Sequence, residues 1–264
     1  MSDPLLWLLT GLGFGGAFVS GLLGVGGAIV MIPLLLYVPP LVGLADLGIR
    51  TVAGISIVQV FAASLAGTAG HLRAGAIDRP LAIVLGTSMT AAALAGGLVS
   101  GFVDPVAIEA AFAAMATAAA ALVLLRRHRM APESAGRPVL RRGLTIAIGS
   151  SVGFLAGIVG AGGAFLIVPL MLHVLRVPMR VAVGTSLVSV AISALAALTG
   201  KAVTGQIDWA LATALVVGAL PGGLVGSTVS RRTHPERLAI ILGVIIALVA
   251  VRMWLQVAGR LVGG

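Results

Sequence analysis

The sequence predicts an all-α polytopic membrane protein built from two similar repeats of about five helical segments each. Three observations support this prediction. Of the 264 residues, 59% are hydrophobic and only 9% are charged, whereas soluble domains carry about 25% charged residues. Uncharged runs of about 20 residues, the length that spans a bilayer, recur along the whole chain. Glycine-rich stretches of the first half also return at matching positions in the second half.

Apolar runs separated by loop residues predict ten helical segments. The first run follows MSDP, which lacks the basic residues of a signal peptide, so we expect a retained helix. The second and seventh segments are about 13 residues long, too short to cross a bilayer alone. Asp78 and Asp208 each end a GxID turn and are expected to cap the helix that follows. The segments are 5–22, 26–38, 48–69, 79–100, 104–125, 142–158, 162–175, 179–200, 208–230 and 235–257.

Two glycine clusters indicate an internal duplication. Residues 21–33 are GLLGVGGAIVMIP, and residues 157–169 are GIVGAGGAFLIVP. A shift of 136 residues aligns these clusters, and a shift of 130 aligns 50–78 with 180–208. Apolar stretches align easily by chance, so the argument rests on the matched Gly, Pro, Arg and Asp residues. These matches predict that the two halves have the same fold.

The distribution of basic residues predicts how the repeats lie in the membrane. If each glycine-joined pair of segments returns to its starting side, each half makes an odd number of crossings and the repeats are inverted. With a cytoplasmic linker at 131–138, 13 of the 17 Lys and Arg residues lie inside and 4 outside, as the positive-inside rule requires. If each pair is one kinked span, the split becomes about 11 to 6. We therefore predict inverted transmembrane repeats over 1–130 and 139–264, with both termini outside.

Composition and charge exclude several function classes. The net charge of +9 is an orientation signal and not a nucleic-acid signal, because most arginines lie in short loops between apolar runs. The absence of cysteine excludes disulfides, thiolate catalysis and Cys-bound metals. His71 and Lys201 occupy matched positions that we expect to be interfacial, and Glu109 lies near enough to a helix start to reach the interface. Because no acids, bases or metal ligands converge, we expect no enzyme, no metal and no cofactor.

The paired glycine clusters have three interpretations. A nucleotide-binding loop needs a preceding strand in a soluble βαβ unit, whereas apolar helix flanks both clusters. Tight helix packing through small residues is common in membranes and also covers Gly11, Gly13, Gly15 and Gly16. The third interpretation is a broken helix that lines a substrate cavity, since irregular backbone at membrane depth must be satisfied by protein or water. Breaks at matching positions of two halves are typical of transporter sites.

The broken-helix interpretation predicts an anion site between the two breaks. The free N–H groups and the dipole of each new half-helix favour a negative charge, so a small anion would need no buried cation. Hydroxyl and amide groups of the third and eighth segments recur at helical spacing and share a face, although each could instead bond to a neighbouring helix. The candidate substrate-binding residues are Gly24, Gly26, Gly27, Ser56, Gln59, Gly160, Gly162, Gly163, Thr185, Ser186 and Ser189.

The same residues carry a resemblance to a known family. The pattern GxGGxxxxxP occurs twice, and GTSLVSVAISALAALTGKAVTGQIDW at 184–209 has a weaker twin at 54–78. These motifs resemble the TauE/SafE sulfite exporter family of membrane permeases, and the similarity extends over essentially the whole chain. Ala28 and Ala164 stand where the family often has a third glycine, and Ile55 replaces the threonine of the first TS pair.

The resemblance implies secondary transport of a small sulfur-containing anion, such as sulfite or a sulfonate, across the bacterial inner membrane without an ATPase. We expect alternating access, with the lipid bilayer and the anion as partners and no nucleic acid. The alternatives are an anion or proton channel on the same fold and a membrane assembly factor without transport activity. Which anion is carried, the direction of transport, a coupling proton and the oligomeric state stay open.

Overall fold

Ten α-helices and one short 3-10 turn make up the part of the chain that the structure describes, residues 3–23, 27–72, 77–125 and 141–262 of a computed structural model. All ten predicted segments are confirmed as helices, and the predicted linker at 131–138 lies outside the described residues. The helices are α1 (Asp3–Leu23), α2 (Ala28–Leu41), α3 (Ile49–Leu72), α4 (Arg79–Val99), α5 (Pro105–Leu125), α6 (Arg142–Val159), α7 (Ala164–His173), α8 (Met179–Val203), α9 (Trp209–Arg232) and α10 (Pro235–Val262), with the 3-10 turn at Ser100–Phe102.

Eight of these helices, all except α2 and α7, are long and apolar enough to cross a membrane. The helices α2 and α7 have 14 and 10 residues, or about 21 and 15 Å at 1.5 Å per residue. The hydrocarbon core of a bilayer is about 30 Å thick. The prediction of one short segment in each half is therefore confirmed.

The predicted aspartate caps set the starts of α4 and α9. The Asp78 carboxylate accepts a hydrogen bond from the backbone N–H of Leu81 at 2.9 Å. The Asp208 carboxylate accepts from the N–H groups of Ala210 and Leu211 at 3.0 and 3.1 Å. Each bond satisfies first-turn donors that have no partner inside the helix.

Glycines bring helices of the two halves into backbone contact. A Cβ added at Gly13 of α1 would lie 2.2 Å from the carbonyl oxygen of Leu215 on α9. A Cβ at Gly96 of α4 would lie 2.1 Å from the carbonyl oxygen of Phe154 on α6. Only glycine permits these contacts, which are the small-residue packing that membrane helices use. Each contact joins a helix of the first half to a helix of the second.

Two groups of three helices form the bundle. α1, α3 and α9 contact one another, as do α4, α6 and α8. The contacts between α1 and α9 advance together along both helices, from Thr10 against Gly218 to Phe18 against Gly226, so these helices run parallel. α4 and α6 are parallel in the same way, because Gly149–Gly157 of α6 advances along α4.

The two groups meet where α3 packs on α8, and these helices run antiparallel. Gly54, near the start of α3, lies against Gln206 just beyond the end of α8. Gly67, near the end of α3, lies against Leu187 in the first half of α8. Because α3 and α8 are counterparts in the predicted duplication, these two counterparts run in opposite directions. The inversion of the complete repeats stays a prediction.

α5 and α10 pack together and hold the two short helices, α5 against α7 and α10 against α2. The rings of Phe112 and Phe165 join α5 to α7 edge to face, with centroids 5.6 Å apart. Tyr37 of α2 donates a hydrogen bond to the amide oxygen of Gln256 on α10, and Gln256 Nε2 donates to Glu109 Oε1 at 3.0 Å. Glu109 has no exposed surface, so it faces the protein interior; whether it lies at the depth of the membrane interface stays a prediction.

Candidate functional site

Both glycine clusters interrupt a helix, as the broken-helix interpretation predicts. α1 ends and α2 begins on either side of the first cluster, and α6 and α7 flank the second. Gly27 and Gly163 precede the new helices with φ of 75° and 74°, in the left-handed region that glycine adopts without a Cβ penalty. The candidate residues Gly24 and Gly26 lie outside the described residues.

The two half-helices begin with uncapped N-termini. Among the described residues, no side chain bonds to the start of α2 after Gly27 or to the start of α7 after Gly163. The first N–H groups of a helix have no partner within the helix, and the helix dipole adds partial positive charge there. Each start can therefore offer backbone donors to an anion.

The two breaks approach the middle of α3. A Cβ added at Gly27 would lie 3.2 Å from Nε2 of Gln59. A Cβ added at Gly162 would lie 2.5 Å from Cγ1 of Val60 and 3.1 Å from Cγ1 of Val190 on α8. Val60 and Val190 are counterparts under the shift of 130 residues. The two breaks therefore contact neighbouring residues in the middle of α3, and Gly162 also lies against α8.

The polar side chains around the first break are buried and unpaired. Ser20, Ser56 and Gln59 have no exposed surface. Within the described part of the chain, neither hydroxyl and neither amide atom has a hydrogen-bond partner. Ser20 lies beside Gly27, with its Cβ 3.2 Å from the added Cβ, and Ser56 lies one turn before Gln59 on the same face. Such groups are costly to bury without a partner, so they mark a place for a polar ligand or water.

The hydroxyl groups of α8 are bonded to protein atoms. Thr185 Oγ1 accepts from a backbone N–H in the loop before α4 at 3.1 Å. Ser189 donates to the carbonyl of Thr185 at 3.0 Å and to an α4 carbonyl at 3.4 Å. Ser186 donates to a carbonyl of its own helix at 2.9 Å and lies one turn from Val190 on the side of the second break. Of the α8 candidates, only Ser186 is thus placed on the face that meets a break.

Gly160 closes the second break against α3. Its φ is +74°, and an added Cβ would lie 2.0 Å from the carbonyl oxygen of Ala53. Its N–H continues α6 by donating to the carbonyl of Ala156 at 2.9 Å. Gly160 therefore serves a packing contact with α3, and its conformation lets the chain turn sharply at the end of α6.

A lysine side chain is buried beside the second break, and this burial was not predicted from the sequence. Lys201 of α8 has no exposed surface, although it lies in the last turn of the helix; its depth in the membrane stays a prediction. Its ammonium donates to Ser100 Oγ at 2.8 Å, to the carbonyl of Ile158 at 3.1 Å and to Gln206 Oε1 at 3.2 Å. Ile158 belongs to the last turn of α6, whose carbonyls lack helical partners. The side chain of the matched residue His71 lies outside the described part of the chain.

Comparison with known proteins assigns the family. The sequence model of the family described as Sulfite exporter TauE/SafE matches residues 9–253. The chain belongs to the TauE/SafE family. This assignment confirms the resemblance on which the sequence analysis ended.

The TauE/SafE protein also matches curated relatives over nearly its full length. It is 25% identical over 262 residues to "Probable membrane transporter protein YunE" of Bacillus subtilis, which covers 93% of this chain and 96% of the relative. It is 32% identical over 250 residues to a "Probable membrane transporter protein" of Xylella fastidiosa, with 92% and 94% covered. It is 31% identical over 252 residues to "Probable membrane transporter protein YjnA" of Bacillus subtilis, with 90% and 95% covered. No solved structure matches the chain. These names indicate a membrane transporter and not an enzyme.

Ala28, Ala164 and Ile55, at which the resemblance to the family is incomplete, lie at the candidate site. Ala28 and Ala164 are the first residues of the two half-helices and are fully buried. Ile55 precedes Ser56 on α3 and is also fully buried. The first half of the site therefore has one hydroxyl fewer, and Ser56 and Gln59 are the polar groups that α3 contributes.

Proposed function

We propose that this TauE/SafE protein is a secondary transporter for a small sulfur-containing oxyanion, such as sulfite or a sulfonate, in the bacterial inner membrane. The observation that carries the proposal is the group of buried, unpaired polar side chains Ser20, Ser56 and Gln59 beside the uncapped helix start at Gly27. An oxyanion has several acceptor oxygens close together. Two hydroxyls, one amide NH₂ and the backbone N–H groups of α2 are donors that suit such an ion.

The charge around the site favours an anion over a cation. The helices α2, α3, α7 and α8 contain no Asp or Glu, so none of these four contributes a carboxylate to a cation. Two helix N-termini supply partial positive charge instead. A buried basic side chain, Lys201, lies at the far side of the second break. The four helices nearest to the breaks therefore offer an anion partial positive charge and no carboxylate.

The helix arrangement is suited to alternating access. Both breaks contact the middle of α3, and the second also contacts the middle of α8; a transporter site at mid-membrane is typical of folds with inverted repeats. The antiparallel packing of α3 and α8 supports inverted repeats over 1–130 and 139–264. Rocking of the α1/α3/α9 group against the α4/α6/α8 group about the contact between α3 and α8 would expose the site to each side in turn.

Transport is tested with purified protein in liposomes, by uptake of radiolabelled sulfite with and without unlabelled sulfite inside. We expect saturable uptake that internal anion stimulates. Saturable uptake without such counterflow would instead indicate a channel, and a protein inert to sulfite, sulfate, thiosulfate and organosulfonates would refute the proposal. Repeating the assay with and without a pH gradient separates proton symport and exchange from uniport.

A matched pair of glycine variants tests the site. Gly27→Val places a Cβ 2.7 Å from the carbonyl oxygen of Gly16 and 3.2 Å from Gln59 Nε2, so we expect at least a tenfold loss of sulfite flux, measured in a variant that is shown by thermal unfolding to be folded. Gly43→Val is the control, because Gly43 has a similar φ of +70° but no atom within 4 Å of an added Cβ. Gly163→Val tests the second break in the same way. Flux like that of the unmodified protein in both Gly27→Val and Gly163→Val would contradict the site.

A further inference from the structure

We infer that Lys201 is a second anion-binding position, on the route between the second break and the end of the bundle that carries residues 204–208. The inference rests on the proposed anion transport. It goes beyond that proposal in two ways. It names a basic side chain outside the site at Gly27 and Gln59, and it names the direction in which the anion leaves that site.

The hydrogen bonds of Lys201 link the end of α6, next to the second break, to the exposed loop after α8. On the inner side, the ammonium bonds to the carbonyl of Ile158 at 3.1 Å, two residues before Gly160. On the outer side it bonds to the half-buried Gln206 at 3.2 Å, whose Nε2 donates to the exposed Thr204. Gln206 therefore lies between the Lys201 side chain and the exposed loop. An anion that moves outward from the second break meets Lys201 first and Gln206 next.

The partners of Lys201 leave its charge without a counter-ion among the atoms that it bonds. Ser100 Oγ, the Ile158 carbonyl and Gln206 Oε1 are all neutral acceptors. A buried charge is costly unless it is paired, so an anion that reaches this position stabilises the charged form of the lysine. An oxyanion can take the place of Gln206 Oε1 and the Ile158 carbonyl at the ammonium, which frees the Gln206 side chain to move towards the loop.

The sequence repeats the positions of Lys201 and Ser100, each in the other half of the chain. Under the shift of 130 residues, Lys201 matches His71 and Ser100 matches Ser230. Each half therefore has a basic residue on α3 or α8 and a serine at the end of the second long helix that follows a break. A route with one such position towards each side of the membrane is what alternating access around a central site requires.

Sulfite flux in liposomes tests whether the charge at Lys201 matters. We expect Lys201→Met to lower the maximal flux at least tenfold, whereas Lys201→Arg, which keeps the charge, retains half or more. The control is Thr199→Ala, because Thr199 lies on the same helix, is exposed and bonds only to a carbonyl of α8 at 2.9 Å. Thermal unfolding establishes that each variant is folded. A folded Lys201→Met protein with unchanged flux would overturn the inference.

A thiol probe separates anion binding from a purely structural role and does not depend on transport. The chain has no cysteine, so Gln206→Cys introduces a single thiol next to the ammonium. The measured quantity is the rate of modification by an anionic methanethiosulfonate divided by the rate with a cationic one. We expect this ratio to be at least ten times higher for the introduced thiol than for a free thiol in solution. Adding Lys201→Met should remove this preference. An equal preference for the anionic reagent with and without Lys201 would overturn the inference. If the preference depends on Lys201 but the unmodified protein transports no anion, only the proposed transport function is contradicted.

Discussion

Replacing Gln59 by leucine should stabilise the empty protein while it removes anion binding. Both amide atoms of Gln59 are buried without a partner among the described residues, and each such group costs about 1–3 kcal/mol. Leucine fills a similar volume without polar atoms. Taking the lower value for each of the two atoms, we expect the free energy of unfolding to rise by about 2 kcal/mol. The same substitution removes the side-chain donor nearest to Gly27, so sulfite should no longer protect the protein.

Thermal unfolding in detergent, with and without sulfite, measures both effects. A change of 1 kcal/mol shifts Tm by about 2–4 °C in chains of 150–250 residues, so Gln59→Leu should raise Tm by roughly 4–8 °C without ligand. At a sulfite concentration 100 times Kd, the unmodified protein gains about 2.7 kcal/mol and the variant gains nothing. The order of the two stabilities should therefore reverse when sulfite is added.

The control for this prediction is the same substitution at Gln206. Its amide oxygen accepts from Lys201 and Ser100, and its amide nitrogen donates to the carbonyl of Gly97. Gln206→Leu removes bonds that are made, so it should lower Tm. The reasoning is refuted if Gln59→Leu lowers Tm as Gln206→Leu does, or if sulfite raises the Tm of Gln59→Leu as much as that of the unmodified protein.

Three further predictions follow from the helix ends and the bundle. Gly160→Ala should lower the free energy of unfolding by several kcal/mol, because its added Cβ lies 2.0 Å from a carbonyl oxygen of α3 and its left-handed backbone adds a cost of about 1–2 kcal/mol. Gly205→Ala has a similar φ of +68° but open space around the added Cβ, so only the backbone cost applies. Chemical or thermal unfolding compares the two variants. Asp208→Ala should lower the free energy of unfolding by about 1 kcal/mol through loss of the α9 cap, which the same measurement detects; an unchanged stability would contradict the cap. A single cysteine introduced at Thr204 should react with a membrane-impermeant maleimide in intact cells, and one at His234 only after the inner membrane is permeabilised; labelling of both in intact cells would contradict the predicted topology.

Much of the fold could be predicted from the sequence because the bilayer limits the choices. Uncharged runs of membrane length must form helices, because a helix satisfies its own backbone hydrogen bonds. The two glycine-rich clusters indicated where two of those helices are interrupted. The caps at Asp78 and Asp208 followed from a local turn pattern. The packing partners did not follow: an added Cβ at Gly13 would clash with α9, whereas Gly11 and Gly15 have nothing within 4 Å, and all three look alike in sequence.

The site could be predicted only in part, because spacing gives a shared face but not the neighbour that it meets. Gly27 and Gln59 come together as the broken-helix interpretation required. Ser20 was missed because a serine one turn before a glycine cluster is equally typical of helix packing. Ser189 has the spacing of a site residue but bonds to α4 and its own helix. Lys201 near the end of an apolar helix predicts a side chain that reaches the interface, and only the structure shows that the segments around it bury the ammonium.

The packing of α1 on α9 and of α4 on α6 also bears on how the molecule is made. Each of these contacts joins a helix that leaves the ribosome early to one that leaves it late. Until α6 and α9 are synthesised, the glycine faces at Gly13 and Gly96 have only lipid or incomplete neighbours against them. Neither half of the chain should therefore reach its final packing alone, and two half-length polypeptides should recover the structure only when they are produced together.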